Sequence, residues 1–158
     1  THTHTHTHKQ YEWSADGDAS LIEDWASRFL CKLDDSLFDT PTSRYVNIKI
    51  RHNNNDGMVG YCHGDAEEAW IELDATLIGD EDYFKETLAH ELVHAKQLLK
   101  GELKDDVGFT TIWKGEEYVN LRNKLPEAVY KALPWEAEAY DLQRLYKEVP
   151  TEPFFGEV

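Results

Sequence analysis

The sequence predicts an α+β domain, and three observations carry that prediction. Apolar residues recur at helical spacing in three separated stretches, 18–38, 81–100 and 134–147. Short stretches at 44–51, 58–63, 70–73 and 110–119 read as strands, bounded by Gly, Asn, Asp and Pro. Helices and strands come in blocks rather than as strict strand–helix alternation, which favours a small mixed sheet with helices packed against it. The chain has 158 residues, enough for one core and too few for two good ones.

The elements follow in order. Residues 1–8 alternate Thr and His, a regularity that reads as a purification tag, so residues 1–10 are set aside and one domain is expected over 11–149. Leu21, Ile22, Trp25, Phe29, Leu30, Leu33 and Leu37 line one face of a first helix, with Asp18 or Ser20 as its cap. A turn at 39–42 ends it. Arg44 to Arg51 alternates as a strand that stops at the turn 53–57, and a second short strand follows over 58–63. Gly64 and Asp65 turn the chain into a third strand at 70–73. The helix 81–100 closes at Gly101, and a hairpin over 110–119 turns at Lys114 and Gly115. Pro134 suits the first turn of a last helix, and the tail 150–158, with Pro150 and Pro153, is expected to be loose.

Composition removes several functions. With 16 Lys+Arg against 31 Asp+Glu the net charge is −15, which disfavours nucleic-acid backbones and anionic membrane surfaces. No stretch approaches the ~20 apolar residues of a spanning helix. No basic-then-apolar signal pattern opens the chain, so a cytoplasmic location is the expectation. Two cysteines, Cys31 and Cys62, are too few for a disulfide framework. His52, His63 and Cys62 lie near turns, and neighbours in a strand face opposite ways, so they read as structural or surface residues rather than as a metal site.

His90-Glu91-Leu92-Val93-His94 is an HExxH motif inside the 81–100 helix. Positions four apart on a helix differ by only about 40°, so both imidazoles face one point and can bind one zinc ion. Glu91 sits about 100° around from His90, placed to take a proton from a water held by that metal. Catalytic zinc keeps three protein ligands, and no His or Cys follows His94, so a downstream third ligand must be acidic. Glu136 and Glu138 are the candidates, and two residues apart on a helix they point in opposing directions. Glu138 shares the apolar face of Trp135, Leu142 and Leu145, where a carboxylate needs a partner, and is the expected ligand; Glu136, with Tyr140, Gln143 and Lys147, is the alternative. Tyr118, Tyr130 and Tyr140 are all available to stabilise an oxyanion.

HExxH followed by a glutamate on a later helix resembles the gluzincin group of zinc metallopeptidases. The string from Thr87 to Gln97 resembles the active-site helix of small bacterial and phage zincin-like proteins, the SprT-like and ImmA/IrrE-like groups, and the Pro134–Tyr140 string resembles their second-helix element. SprT-like proteins usually carry a third histidine, which this chain lacks downstream. The resemblance implies a minimal zincin-like domain with one zinc ion and a protein or peptide substrate. It implies peptide-bond hydrolysis with Glu91 as general base, the strand 70–73 serving as the edge strand at the lip of the cleft. The competing expectation is a catalytically silent protein of the same fold that grips a protein partner.

Overall fold

A computed structural model describes residues 8–11, 19–39, 44–51, 59–105, 110–119 and 125–155. His52, the turn at 53–57, Met58, Asp18 and the first seven residues of the Thr-His repeat lie outside the described residues, as does most of the 39–42 turn.

Helix α1 (Ala19–Leu33) buries Ile22, Trp25, Ala26, Phe29 and Leu30 along one stripe. It ends five residues short of the expected 38. The Asp34 carboxylate accepts from the Ser36 N–H and hydroxyl at 3.0 and 2.8 Å, a local turn that competes with helix continuation. Leu37 and Phe38 still reach the core from that turn.

The first sheet has strand order β1-β2-β4-β3, from β1 (His8–Tyr11), β2 (Tyr45–Arg51), β3 (Gly60–Gly64) and β4 (Glu68–Asp74). β1 begins inside the stretch read as a tag and pairs parallel to β2. Val46, Ile48 and Ile50 of β2 alternate inward with Ala69, Ile71 and Leu73 of β4, building the face that α1 and the next helix cover. β3 turns into β4 through Gly64, at φ +148°, where an added Cβ would lie 2.1 Å from the Glu68 carbonyl oxygen. The antiparallel β3 takes the outer side of β4, and parallel β2 takes the other. Among the described strands the edges are therefore β1 and β3, and β4, expected at the edge, is interior.

Helix α2 (Glu81–Leu99) starts at Asp80, whose side chain accepts from the Tyr83 N–H at 3.1 Å. It ends in a Schellman motif: Gly101, at φ +74°, donates to Leu98, and Glu102 donates to the Gln97 carbonyl, both at 2.9 Å. Beyond it lies a second, antiparallel sheet of β5 (Leu103–Asp105), β6 (Thr110–Trp113) and β7 (Glu116–Val119). Positive φ at both Lys114 and Gly115 matches the expected two-residue hairpin turn.

Helices α3 (Glu127–Ala132) and α4 (Pro134–Leu142) follow, and residues Gln143–Glu148 tighten into a 3₁₀ turn rather than continuing α4 to 147. The tail, expected to be loose, is docked through Phe155. Phe154 is 1% exposed, its ring edge-on to Trp25 and Phe84, and its N–H donates to Glu81 at 2.9 Å. The aromatic ring has an apolar slot between α1 and α2 that outweighs the turn-forming prolines before it. Among the described residues no helix is long and apolar enough to cross a membrane.

A candidate metal centre between two helices

Helix α2 presents His90 and His94 one turn apart, and α4 crosses it with Glu136 in its own first turn. Nε2 of His90 lies 3.3 Å from Oε1 of Glu136, and Nε2 of His94 lies 3.2 Å from Oε2. One ligand atom from each of the three lies within 4.8 Å of the others. The Nδ1 atoms point away from this centre and are engaged: His90 Nδ1 meets Oε1 of Gln143 at 2.7 Å, and His94 Nδ1 meets Oε1 of Gln97 at 2.8 Å. Two imidazoles with one nitrogen tied back and the other turned to a shared carboxylate form a donor set that fits a zinc ion.

The expected third ligand is corrected by this placement. Glu138 does not reach the histidines; its carboxylate accepts from Lys96 Nζ at 3.2 Å and from Gln97 Nε2 at 2.9 Å. The inward face of α4 at the histidines is the polar stripe Glu136, Tyr140 and Gln143, not the apolar stripe of Trp135, Leu142 and Leu145. A face that meets polar groups of a neighbouring helix is polar itself, so apolar character marked the wrong side. Glu138 does have the partner that a partly buried carboxylate needs, and it is a lysine.

The charges around the centre depend on one another. Burial opposes charge on Glu136, yet hydrogen bonds from His90, His94 and Tyr130 bring its pKa down to about 2. Burial likewise opposes charge on His94, but Glu136 holds its pKa up to about 9. Glu91 is 7% exposed, and burial raises its pKa against the pull of the two histidines. That is the direction a general base working near neutral pH requires. Glu91 is not part of the three-ligand group, consistent with its turn around the helix axis.

Edge strand β3 crosses directly over Glu91. A Cβ on Gly60 would sit 2.8 Å from Thr87 Cγ2, 3.0 Å from Glu91 Oε2 and 3.2 Å from Glu91 Cγ. Glycine is required here for close approach rather than for a special backbone angle, since Gly60 is not among the positive-φ glycines. Cys62, two residues on, is half-buried, and desolvation together with the nearby Glu91 charge pushes its thiol pKa up. Cys31 and Cys62 are not joined in a disulfide. His63 stacks on Trp70 away from the centre, 6.3 Å between rings.

The three tyrosines separate. The Tyr130 hydroxyl donates to Glu136 Oε2 at 2.8 Å, and the Tyr140 ring lies 4.6 Å from that of His90. Tyr118 packs edge-on against Trp135, its hydroxyl 3.5 Å from Glu116, and is not brought to the centre. Gln97 and Gly60 were given no role from the sequence, and Gln143 was placed only on the face of Glu136. Gln97 stood three residues past His94, on the same helix side.

A family model described as the SprT-like family matches residues 26–122, which span most of α1, the first sheet from β2 onward, α2 and the second sheet. The match contains the HExxH motif and stops before α4. No curated protein and no solved structure matches the chain.

Proposed function

The chain belongs to the SprT-like family, and on that premise we propose that it is a zinc-dependent peptidase acting on a protein or peptide substrate. The observation that carries the reading is the convergence of His90, His94 and Glu136, with the buried, pKa-raised carboxylate of Glu91 beside them. His90, His94 and Glu136 would hold the ion. Zinc, when bound, supplies a Lewis acid that polarises the scissile carbonyl and lowers the pKa of a water in its open position.

Glu91 takes the proton from the attacking water as the new C–O bond forms. It returns that proton to the amide nitrogen as the C–N bond breaks, so the carboxylate ends as it began. Tyr130, whose hydroxyl already reaches the metal-facing side of Glu136, is the tyrosine best placed to donate to the developing oxyanion. Strand β3 has an edge paired with no other described strand, to which an extended peptide adds by main-chain hydrogen bonds, directly above Glu91. The net charge of −15 favours basic segments in the substrate and a setting away from nucleic acid and anionic membrane.

The test is a cleavage survey with the zinc-loaded chain on unfolded proteins, mass spectrometry reading new N-termini. Wild type is expected to generate termini that the chelated protein and Glu91→Gln do not, while Glu91→Gln keeps its zinc. Zinc-loaded wild type that generates none, yet captures a protein partner equally well with Glu91→Gln, would establish the silent binding protein instead.

A further inference from the structure

We propose that Gln97 is a positioning residue that fixes His94 in the form carrying its proton on Nδ1, and that Glu138 and the Trp135 carbonyl lock Gln97 in that orientation. The inference rests on the zinc reading above and assigns Glu138 a role one step removed from the metal.

An uncharged imidazole has one N–H and one lone pair, and the partner of one nitrogen decides which end is free to bind a metal. A glutamine amide can serve as acceptor or donor depending on its flip, so its own surroundings decide. For Gln97 they leave one choice. Its amide nitrogen lies 3.0 Å from the Trp135 carbonyl oxygen and 2.9 Å from Glu138 Oε1. Both atoms are acceptors only, since the Glu138 carboxylate is paired with Lys96 at 3.2 Å. The NH₂ must therefore face them, and Oε1 must face His94 Nδ1 at 2.8 Å. An oxygen there demands Nδ1–H, so once the ring is uncharged, as a metal ligand must be, its lone pair lies on Nε2, the atom 3.2 Å from Glu136.

Gln97 is fully buried, so water cannot replace either bond. The chain of partners runs on to Lys96, which Glu102 also holds at 3.1 Å, tying His94 to the Schellman end of α2. The Gln143 amide at His90 lacks such a lock: among the described residues only its Oε1 has a partner.

The experiment uses the full chain with His2, His4, His6 and His8 replaced by alanine, so that the repeat does not compete for metal. Zinc affinity is measured by chelator competition, and the exchangeable His94 N–H is followed by paramagnetic NMR of the cobalt-substituted protein. In Gln97→Met, zinc binding is expected to weaken about 10–100-fold, with the His94 N–H exchanging rapidly with water. The paired exchange Gln97→Glu with Glu138→Gln keeps an acceptor toward Nδ1 but sets a carboxylate oxygen against the Trp135 carbonyl, and is expected to lose clearly less affinity than Gln97→Met while keeping the His94 N–H slow to exchange. A merely structural role would lose affinity equally in both. Should Gln97→Met fail to fold by circular dichroism, Glu138→Leu carries the test, with a several-fold loss expected. Unchanged affinity and an unchanged His94 N–H in Gln97→Met, or in Glu138→Leu where that variant stands in, overturn the role of Gln97 and leave the zinc reading standing. A parent that binds no zinc overturns both.

Discussion

Alanine at position 60 tests how closely the edge strand is fitted over the Glu91 carboxylate. The new Cβ would meet Thr87 Cγ2 at 2.8 Å and Glu91 Oε2 at 3.0 Å, both below ordinary van der Waals separation. Thr87 is buried and short, so it has little freedom to move aside. Overpacking of this kind costs about 1–3 kcal/mol. Against it, Gly→Ala stabilises by about 0.4–1 kcal/mol through the unfolded chain, leaving a net loss of up to about 2.6 kcal/mol, centred near 1, in urea-induced unfolding. Thr87→Ser removes the methyl that makes the 2.8 Å contact. The double variant is therefore expected to recover stability, with a coupling of about 1 kcal/mol in the cycle. The 3.0 Å contact with Glu91 remains, so peptide hydrolysis stays depressed by about tenfold or more in both backgrounds, while zinc content is unchanged. Full stability and full activity in Gly60→Ala would refute the claim that β3 lies against Glu91.

Three further outcomes are expected. Phe154→Ala empties a slot lined by Trp25 and Phe84 and lowers unfolding stability by about 3–5 kcal/mol; a loss under about 1 kcal/mol would mean the tail is not docked. Tyr130→Phe is expected to lower kcat by about 100-fold with KM and zinc content little changed, and an unaltered kcat would remove Tyr130 from catalysis. The Lys100 and Ser36 hydrogen bonds hold the Asp34 pKa down to about 2, below its unfolded value near 3.8. Its stabilisation is thus complete above about pH 4 and is lost as pH falls through 2. Because Lys100 is 37% exposed the effect is below about 1 kcal/mol. The stability difference between wild type and Asp34→Asn is expected in full at pH 6 and mostly lost at pH 2, where about half of the folded-state Asp34 is still ionised; a difference undiminished at pH 2 would contradict the pairing.

What the sequence made legible was local. The end of α2 follows from Gly101, and the His90–His94 pairing follows from helical spacing, because each depends on residues within a turn or two. The hairpin at Lys114-Gly115 was readable for the same reason. What failed depended on distant partners. Glu136 and Glu138 both meet α2 and differ in which of its residues they face, His90 and His94 or Lys96 and Gln97; the apolar stripe misled because the histidine-facing side is built of polar residues satisfied by one another. The parallel pairing of β1 requires β2, thirty-odd residues away, and nothing in a Thr-His repeat announces it. Phe154 looked like part of a proline-broken tail until the slot between Trp25 and Phe84 existed to receive it. α1 stopped early for a local reason that was present in the sequence, the Asp34-Asp35-Ser36 turn.

The central claim is that Glu136, with His90 and His94, holds the metal. The most direct measurement is zinc per chain by elemental mass spectrometry after gel filtration, on protein with the four repeat histidines replaced by alanine. Wild type and Glu138→Gln, loaded at saturating zinc, are expected to carry about one ion per chain, and Glu136→Gln to carry none. Zinc retained in Glu136→Gln and lost in Glu138→Gln would contradict the account.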